Sequence, residues 1–194
     1  MSDEMIVLVD QKDNSVGELS KIEVHKKGLL HRAVSVFIFD SSNKILLQKR
    51  CETKYHSANL WSNTACTHPR LDEEPIKAAN RRLYFEMGLN CELKHCFNFI
   101  YKADLGNGLI EHEYDHVFIG YSDLYPNFNK NEVSEYNYMS IEDLEIDIYK
   151  SPIYIYRQIN QYKNHDHTKI YIFKSCNNLN ILSNVIYKEI NKNK

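Results

Sequence analysis

Residues 62–89 read SNTACTHPRLDEEPIKAANRRLYFEMGL, a loop that runs into an amphipathic helix. Asp72 is placed to cap the helix, Glu73 and Glu74 suit its positive end, and Pro75 is tolerated in a first turn. Ile76, Ala79, Leu83 and Met87 recur at spacings of three and four, which lays an apolar stripe along one face. Gly88 supplies a left-handed stop. Arg82 and Glu86 are four apart and share a helical face. A carboxylate there suits a hard divalent cation and a guanidinium suits phosphate oxygens, although the same pair also makes an ordinary surface ion pair. Cys66 and His68 lie in the loop that leads into the helix.

Working outward, Val7–Val9 predicts a short strand closed by the turn-rich QKDNSVGE, residues 11–18. The β-branched and aromatic run Ala33–Phe39, the turn DSSNK and Ile45–Gln48 predict a hairpin. Residues 51–69 have no clean period and read as a long ordered loop, which inside a compact domain is usually functional. Phe97–Tyr101 and Tyr114–Tyr121 predict further strands. Ser140 precedes a short helix starting over Ile141–Leu144, and Pro152–Tyr162 predicts another. In the Asn-, Lys- and Ile-rich tail, TKIYIF (168–173) suits a strand and NILSNVIYKEI (180–190) a helix. Strands, a central helix, more strands and then helices indicate a mixed α/β sandwich. The expected organisation is one domain over residues 1–164 and a C-terminal extension over 165–194.

A chain of 194 residues that is 43% hydrophobic can bury a sizeable core. Its formal net charge of -2 gives no ground for broad nucleic-acid affinity. Five cysteines, an odd number without CxxC spacing, argue against a disulfide framework and a zinc knuckle, and point to reduced thiols in a cytoplasm. The acidic N-terminus has no signal-peptide pattern, and no stretch approaches bilayer length. No membrane partner is expected, and the oligomeric state is open.

Three further stretches carry chemistry. IEHEYDHVF, residues 110–118, as a strand turns Glu111, Glu113 and Asp115 to one face; crowded like charges there need a cation or water. KIEVHKKGLLHR, residues 21–32, spaces His25 and His31 six apart across Gly28, a loop-like spacing that lets both imidazoles converge, and two histidines with two carboxylates suit Zn²⁺ or Mn²⁺. Lys21, Arg50 and Lys54 form a basic set able to hold a diphosphate. Each stretch also has a plain reading: a solvated strand face, surface histidines, solvated cations.

Taken together, NTACTHP, EHEYDHVF and the ordered pieces KIEVH, LLHRA, LLQKRCETK, LWSN and RRLYFEMG resemble the type I isopentenyl-diphosphate isomerases over roughly residues 5–160. The resemblance implies a Nudix-like α/β/α sandwich with a mixed central sheet. Residues 67–89 follow the spacing of the Nudix box: Glu73, Arg81, Glu86 and Gly88 fit, Thr67 replaces the first glycine, and Arg82 and Phe85 stand where the hydrolases carry glutamates. By resemblance, His25, His31, His68, Glu111 and Glu113 form one site for a second divalent metal (Mn²⁺ or Zn²⁺), and Glu86 helps hold Mg²⁺ against a substrate diphosphate. Lys21, Arg50, Lys54 and Arg82 fall on diphosphate-binding positions. Cys66, Tyr101 and Glu113 fall on proton-transfer positions. Trp61 is the only tryptophan; it either faces the developing cation or packs in the core, and Tyr154 or Tyr156 is the alternative aromatic cover.

The implied reaction moves an unactivated double bond, converting isopentenyl to dimethylallyl diphosphate through a carbocation-like intermediate. It needs acid and base on opposite sides of a dry site. Cys66 serves as base only as thiolate, which a cationic neighbourhood favours. A Nudix diphosphate hydrolase is the alternative, disfavoured by the two missing box carboxylates. A silent binding module has no need of Cys66, Tyr101 and Glu113 together. Zinc-dependent deamination lacks its HxE and PCxxC pair.

Overall fold

The computed structural model describes residues 4–54 and 57–144 of the chain. The expectations for 152–162, 168–173 and 180–190, the boundary at 164, and Tyr154 and Tyr156 lie outside the described residues. The elements are β1 (Met5–Val9), β2 (Ser15–Ser20), α1 (Lys21–Lys27), β3 (His31–Phe39), β4 (Ile45–Arg50), β5 (Trp61–Ser62), β6 (Ala65–Thr67), α2 (Pro75–Met87), β7 (Leu93–Gly106), β8 (Leu109–Tyr121) and β9 (Val133–Met139).

The strands form a mixed sheet around β3, as the sequence predicts. β8 runs parallel to β3 along its length, while β1, β4 and β6 pair antiparallel with it. β7 closes the β8 side as a long antiparallel partner, and β9 adds to β4. Strand alternation divides the core into two layers. Val34, Val36, Ile38, Leu46 and Phe118 face one side and pack against Ala78, Ala79, Leu83 and Met87 of α2. Phe37, Phe39, Ile45, Leu47, Val117 and Ile119 face the other, with Leu144 and the partly buried Trp61 packed on them.

α2 has the predicted stripe and stop, but its start is corrected. Glu74, not Asp72, is the N-cap, and Pro75 is the first helical residue. Asp72 adopts φ 60° in the preceding turn. Glu73 is committed elsewhere: it takes a two-pronged bond from Arg81 at 2.7 and 2.8 Å and the Arg70 amide at 2.9 Å. These bonds, that of Arg81 foremost, lower its pKa against burial. Gly88 ends the helix at φ 65°, and its amide donates to Tyr84 O. Residues 51–69 contain β5 and β6, two- and three-residue strands too short to show a period. Ser140 does start a turn of helix, its Oγ accepting from the Asp143 amide at 3.0 Å. No described helix is long and apolar enough to cross a membrane.

Candidate active site

The segment expected to be loop-like around His25 is helical. Ser20 caps α1 by accepting from the Glu23 amide, and a left-handed Gly28 ends the helix three residues after His25. α1 is fixed on the sheet where His112 Nδ1 meets Gly28 O at 3.0 Å and Ile110 fills the space beside Gly28. His25 therefore hangs from the last turn of α1, His31 opens β3, and His68 follows β6. Glu113 arrives through the parallel β3–β8 register, directly opposite His31.

His25, His31, His68 and Glu113 are buried, and each offers a donor atom within 4.8 Å of the other three. The imidazole centroids are 5.1 Å (His25–His31), 5.6 Å (His25–His68) and 4.9 Å (His31–His68) apart. His25 Nδ1 contacts Lys21 O at 2.6 Å and His31 Nδ1 contacts Leu29 O at 2.8 Å. A carbonyl only accepts, so Nδ1 carries the proton in both rings and Nε2 is left as the ligating nitrogen of the neutral ring. His31 Nε2 is buried without a hydrogen-bond partner among the described residues, 3.6 Å from Glu113 Oε1. His68 Nε2 stands 3.2 Å from the same oxygen.

Burial pushes the His68 imidazole down to about 3, against its hydrogen bond to Glu113, which accepts. It also lowers His25. Burial opposes charge on Glu113, but the flanking His31 and His68 outweigh it and hold this carboxyl well below its ordinary range. Burial thus favours neutral imidazoles at His25 and His68 beside an anionic Glu113, a combination that suits a divalent cation. Three nitrogens and one carboxylate oxygen make a donor set fit for a divalent metal.

Glu111 stands one position further along the same face and outside that four-donor group. Tyr101 joins the two carboxylates: its hydroxyl donates to Glu113 at 2.6 Å and lies 3.3 Å from Glu111. Phe99 stacks on the Tyr101 ring at 5.5 Å and 19°. Glu111, Glu113 and Asp115 share one face, as the alternation predicts, and all three are buried rather than solvated.

Cys66 pairs with Ser35 across β6 and β3, which puts it on the sheet face that carries Glu113. The cationic neighbours of Cys66 do not prevail over its burial. Burial first, then the charge of Glu86, raise the Cys66 thiol to about 12 against Arg50 and Arg82. The residue therefore rests as a thiol in the free protein.

Glu86 is held apart from the histidine cluster. Gln48 Nε2 donates to one of its oxygens at 2.9 Å and Arg82 Nη2 to the other at 2.6 Å. The same Gln48 nitrogen donates to Thr64 O, which fixes the amide's orientation. Both donors bring protons, so both carboxyl oxygens of Glu86 act as acceptors.

The basic set converges on the same region. Lys21 bonds Glu4 at 3.0 Å, and both Lys21 and Arg82 act on the Glu4 carboxyl. Arg50 is buried at the end of β4. Lys54 and Arg82 meet at Glu132, which accepts from Lys54 Nζ and, at 2.6 Å, from Arg82 Nη2. Burial opposes charge on Arg82, and Glu86 and Glu132 outweigh it. Phe85, in a box position of the hydrolases, is half exposed, with the Arg82 guanidinium 5.3 Å from its ring centroid.

Gln48 and Glu132 escaped the sequence reading. Gln48 was counted only as a strand residue, and a glutamate in NKNEV carries no local signal. Trp61 packs against the apolar layer that adjoins Phe37 and Phe97.

Residues 29–159 match the NUDIX domain model. Isopentenyl-diphosphate Delta-isomerase 2 of Aromatoleum aromaticum is 48% identical over 150 residues, covering 77% of this chain and 79% of the relative. Isopentenyl-diphosphate Delta-isomerase 2 of Photorhabdus laumondii is 52% identical over 150 residues, covering 77% and 85%. Among solved structures, DR0079 from Deinococcus radiodurans matches with a TM-score of 0.65 at 18% identity, covering 77% of this chain and 91% of that one. A MutT protein from Methanosarcina mazei matches with a TM-score of 0.54 at 19% identity, covering 70% and 96%. These two show the fold. The chain belongs to the NUDIX domain family and to the isopentenyl-diphosphate Delta-isomerases.

Proposed function

We propose that this protein interconverts isopentenyl and dimethylallyl diphosphate by adding a proton at one carbon and removing one two carbons away. The observation that carries the reading is a single sheet face that holds a thiol, a phenol–carboxylate pair and a buried four-donor cluster. Cys66 and the Tyr101–Glu113 pair are proton-carrying groups without a part in phosphorus chemistry. Their common face with Phe97, Phe99 and Trp61 gives a short alkenyl chain an apolar wall. Aromatic faces stabilise positive charge that develops on carbon, and exclusion of water protects it from capture.

In this reading His25, His31, His68 and Glu113 hold Zn²⁺ or Mn²⁺, with Glu111 beside them, and Glu86 takes part in holding Mg²⁺. An ion held by the first set would supply a fixed geometry and a tuned acidity to Glu113, and one held at Glu86 would supply positive charge against the diphosphate. Lys21, Arg50, Lys54 and Arg82 orient the diphosphate, which sets the alkenyl carbons between Cys66 and Glu113. Tyr101 holds the Glu113 carboxylate through its hydroxyl. One member of the Cys66/Glu113 pair donates a proton while the other accepts. The reduced state of the four described cysteines fits a cytoplasmic location.

The test is incubation of the protein with isopentenyl diphosphate, Mg²⁺ and D₂O. Dimethylallyl diphosphate carrying deuterium is the expected product, with the P–O bonds intact. Metal-dependent phosphate release without deuterium in carbon would replace the isomerase with the diphosphate hydrolase.

A further inference from the structure

We propose that Glu132 is a positioning residue that pre-sets the diphosphate clamp by locking Lys54 to Arg82. The identity of the ligand rests on the isomerase reading; the clamp itself rests on geometry. Glu132 Oε2 accepts from Lys54 Nζ and from Arg82 Nη2 at once. Lys54 lies in the segment after β4, and Arg82 is on α2, so no local structure sets their separation. Glu132 does, and its side chain is only 19% exposed. Burial opposes charge on it, but Arg82 and Lys54 outweigh this and keep the carboxyl below its usual range.

The backbone of Glu132 is itself anchored from two sides. Its carbonyl accepts the Cys51 amide at 3.0 Å at the end of β4, and Cys51 Sγ lies 2.9 Å from Asn131 O. The Asn129 amide donates to Glu86 O on α2 at 2.8 Å, and the Glu132 and Val133 amides return to Asn129 O at 2.9 Å. The segment around Glu132 is thus bolted between the strand end that carries Arg50 and the helix that carries Arg82 and Glu86.

Arg82 directs one terminal nitrogen, Nη2, to both Glu86 and Glu132, and its buried Nε has no partner among the described residues. A planar guanidinium held by one nitrogen has its other donors fixed in direction, and a fixed fork suits oxygens of a phosphate group. Two long cationic side chains otherwise lose considerable rotamer freedom on binding. Glu132 imposes that loss during folding, so the anion meets donors already in place. Glu132 need not touch the substrate, so it acts through Lys54 and Arg82.

The test uses the full chain with two ligands: inorganic pyrophosphate with Mg²⁺, followed by calorimetry, and isopentenyl diphosphate, followed by steady-state kinetics. For Glu132→Gln, the pyrophosphate Kd and the KM are both expected to rise about 10-fold or more, the scale of one charge-assisted hydrogen bond, while kcat stays within about 3-fold. Glu132→Asp should recover part of the affinity. Lys54→Met should lose a similar factor, and the double variant should be little worse than either single one. Unchanged or tighter pyrophosphate binding in Glu132→Gln overturns the proposal, as does a fall in kcat at constant KM. If Glu132→Gln does not fold, the aspartate and Lys54→Met variants carry the same comparison. Wild-type protein that binds pyrophosphate but does not isomerise leaves the clamp standing and removes the isomerase. Wild-type protein that isomerises beside an unaffected Glu132→Gln does the reverse.

Discussion

Gly88→Ala tests whether the turn before β9 closes over the end of α2. Gly88 is left-handed at φ 65°, where an L-residue incurs about 1–2 kcal/mol of strain. A Cβ built there meets the backbone of Asn127, 2.4 Å from its oxygen and 3.0 Å from its carbonyl carbon. The nearest atom is backbone, so relief needs a shift of the segment rather than a rotamer change. Overpacking of this kind costs about 1–3 kcal/mol. A retreat of the segment also stretches the Asn129–Glu86 backbone bond, 2.8 Å at rest, whose loss is about 1 kcal/mol. The expected destabilisation is about 3–6 kcal/mol, obtained by urea unfolding with linear extrapolation. Gly106→Ala is the control, because Gly106 is also left-handed at φ 79° but has nothing within 4 Å of its Cβ position, leaving only the strain of about 1–2 kcal/mol. If the two variants agree within about 0.5 kcal/mol, Asn127 does not close on α2. A folded Gly88→Ala protein should also show a raised KM, since the displaced segment carries Glu132.

Cys66→Ala should keep its fold and its pyrophosphate affinity but lose about 10²–10⁴-fold in deuterium-incorporating turnover, and near-normal turnover would remove the thiol from the reaction. Metal-stripped protein should gain about 4 kcal/mol of stability when Zn²⁺ or Mn²⁺ is raised to a thousand times its Kd; His31→Ala, measured by thermal unfolding and metal content, should abolish the gain. Burial lowers His116 despite its bond to Asp13, with His95 and Arg32 also opposing its charge. Its unfolded imidazole takes up a proton near pH 6.5 before the folded one does, so stability is full above that pH and is lost as pH falls toward the folded value. His116→Gln should therefore lower the acid sensitivity of the unfolding midpoint between pH 7.5 and 5.5, and an unchanged dependence would rule the residue out as its source.

Elements that are long and face a core were legible. α2 shows its stripe because thirteen residues hold more than three turns, and β3 and β8 show β-branched and aromatic runs. α1 has only seven residues, too few for a helical period, yet Ser20 and Glu23 form a capping pair that would have revealed it. β9 alternates Ser134, Tyr136 and Tyr138 with Val133, Asn137 and Met139, a pattern passed over because charged and polar residues interrupt it. Asp72 misled because a good capping residue is also a good left-handed turn residue. The site was legible as motifs rather than as geometry. That His31 faces Glu113 is set by a parallel pairing that spans 82 positions, which local pattern does not encode.

That register is the condition on which the chemistry depends. Side chains alternate, so a slip of one residue between β3 and β8 would turn Glu111, Glu113 and Asp115 toward α2 and bring His112, Tyr114 and His116 to the site. The fold opposes the slip from both faces. On the site face, Ser35 Oγ donates to Asp115 Oδ2 at 2.7 Å, and burial followed by the charge of Glu113 raises the Asp115 carboxyl well above its usual range. On the other face, Asp13 takes Arg32 Nε of β3 at 2.7 Å and His116 Nε2 of β8 at 2.9 Å on its two oxygens. Arg32 and His116 lie two register positions apart, so the carboxylate spans both strands diagonally. A slipped pairing would break both bridges and leave buried polar groups unsatisfied, each a cost of about 1–3 kcal/mol. With the strands locked, three rows follow one another along one face: His31, Glu113 and Tyr101; then Ala33, Asp115 and Phe99; then Ser35, Val117 and Phe97, with Cys66 joined to Ser35. The face thus passes from ligating to apolar side chains within four residues of strand, about 13 Å. In the proposed reading the alkenyl carbons lie along this length, with Glu113 at one end and Cys66 at the other, while the diphosphate is held by the basic set of Lys21, Arg50, Lys54 and Arg82.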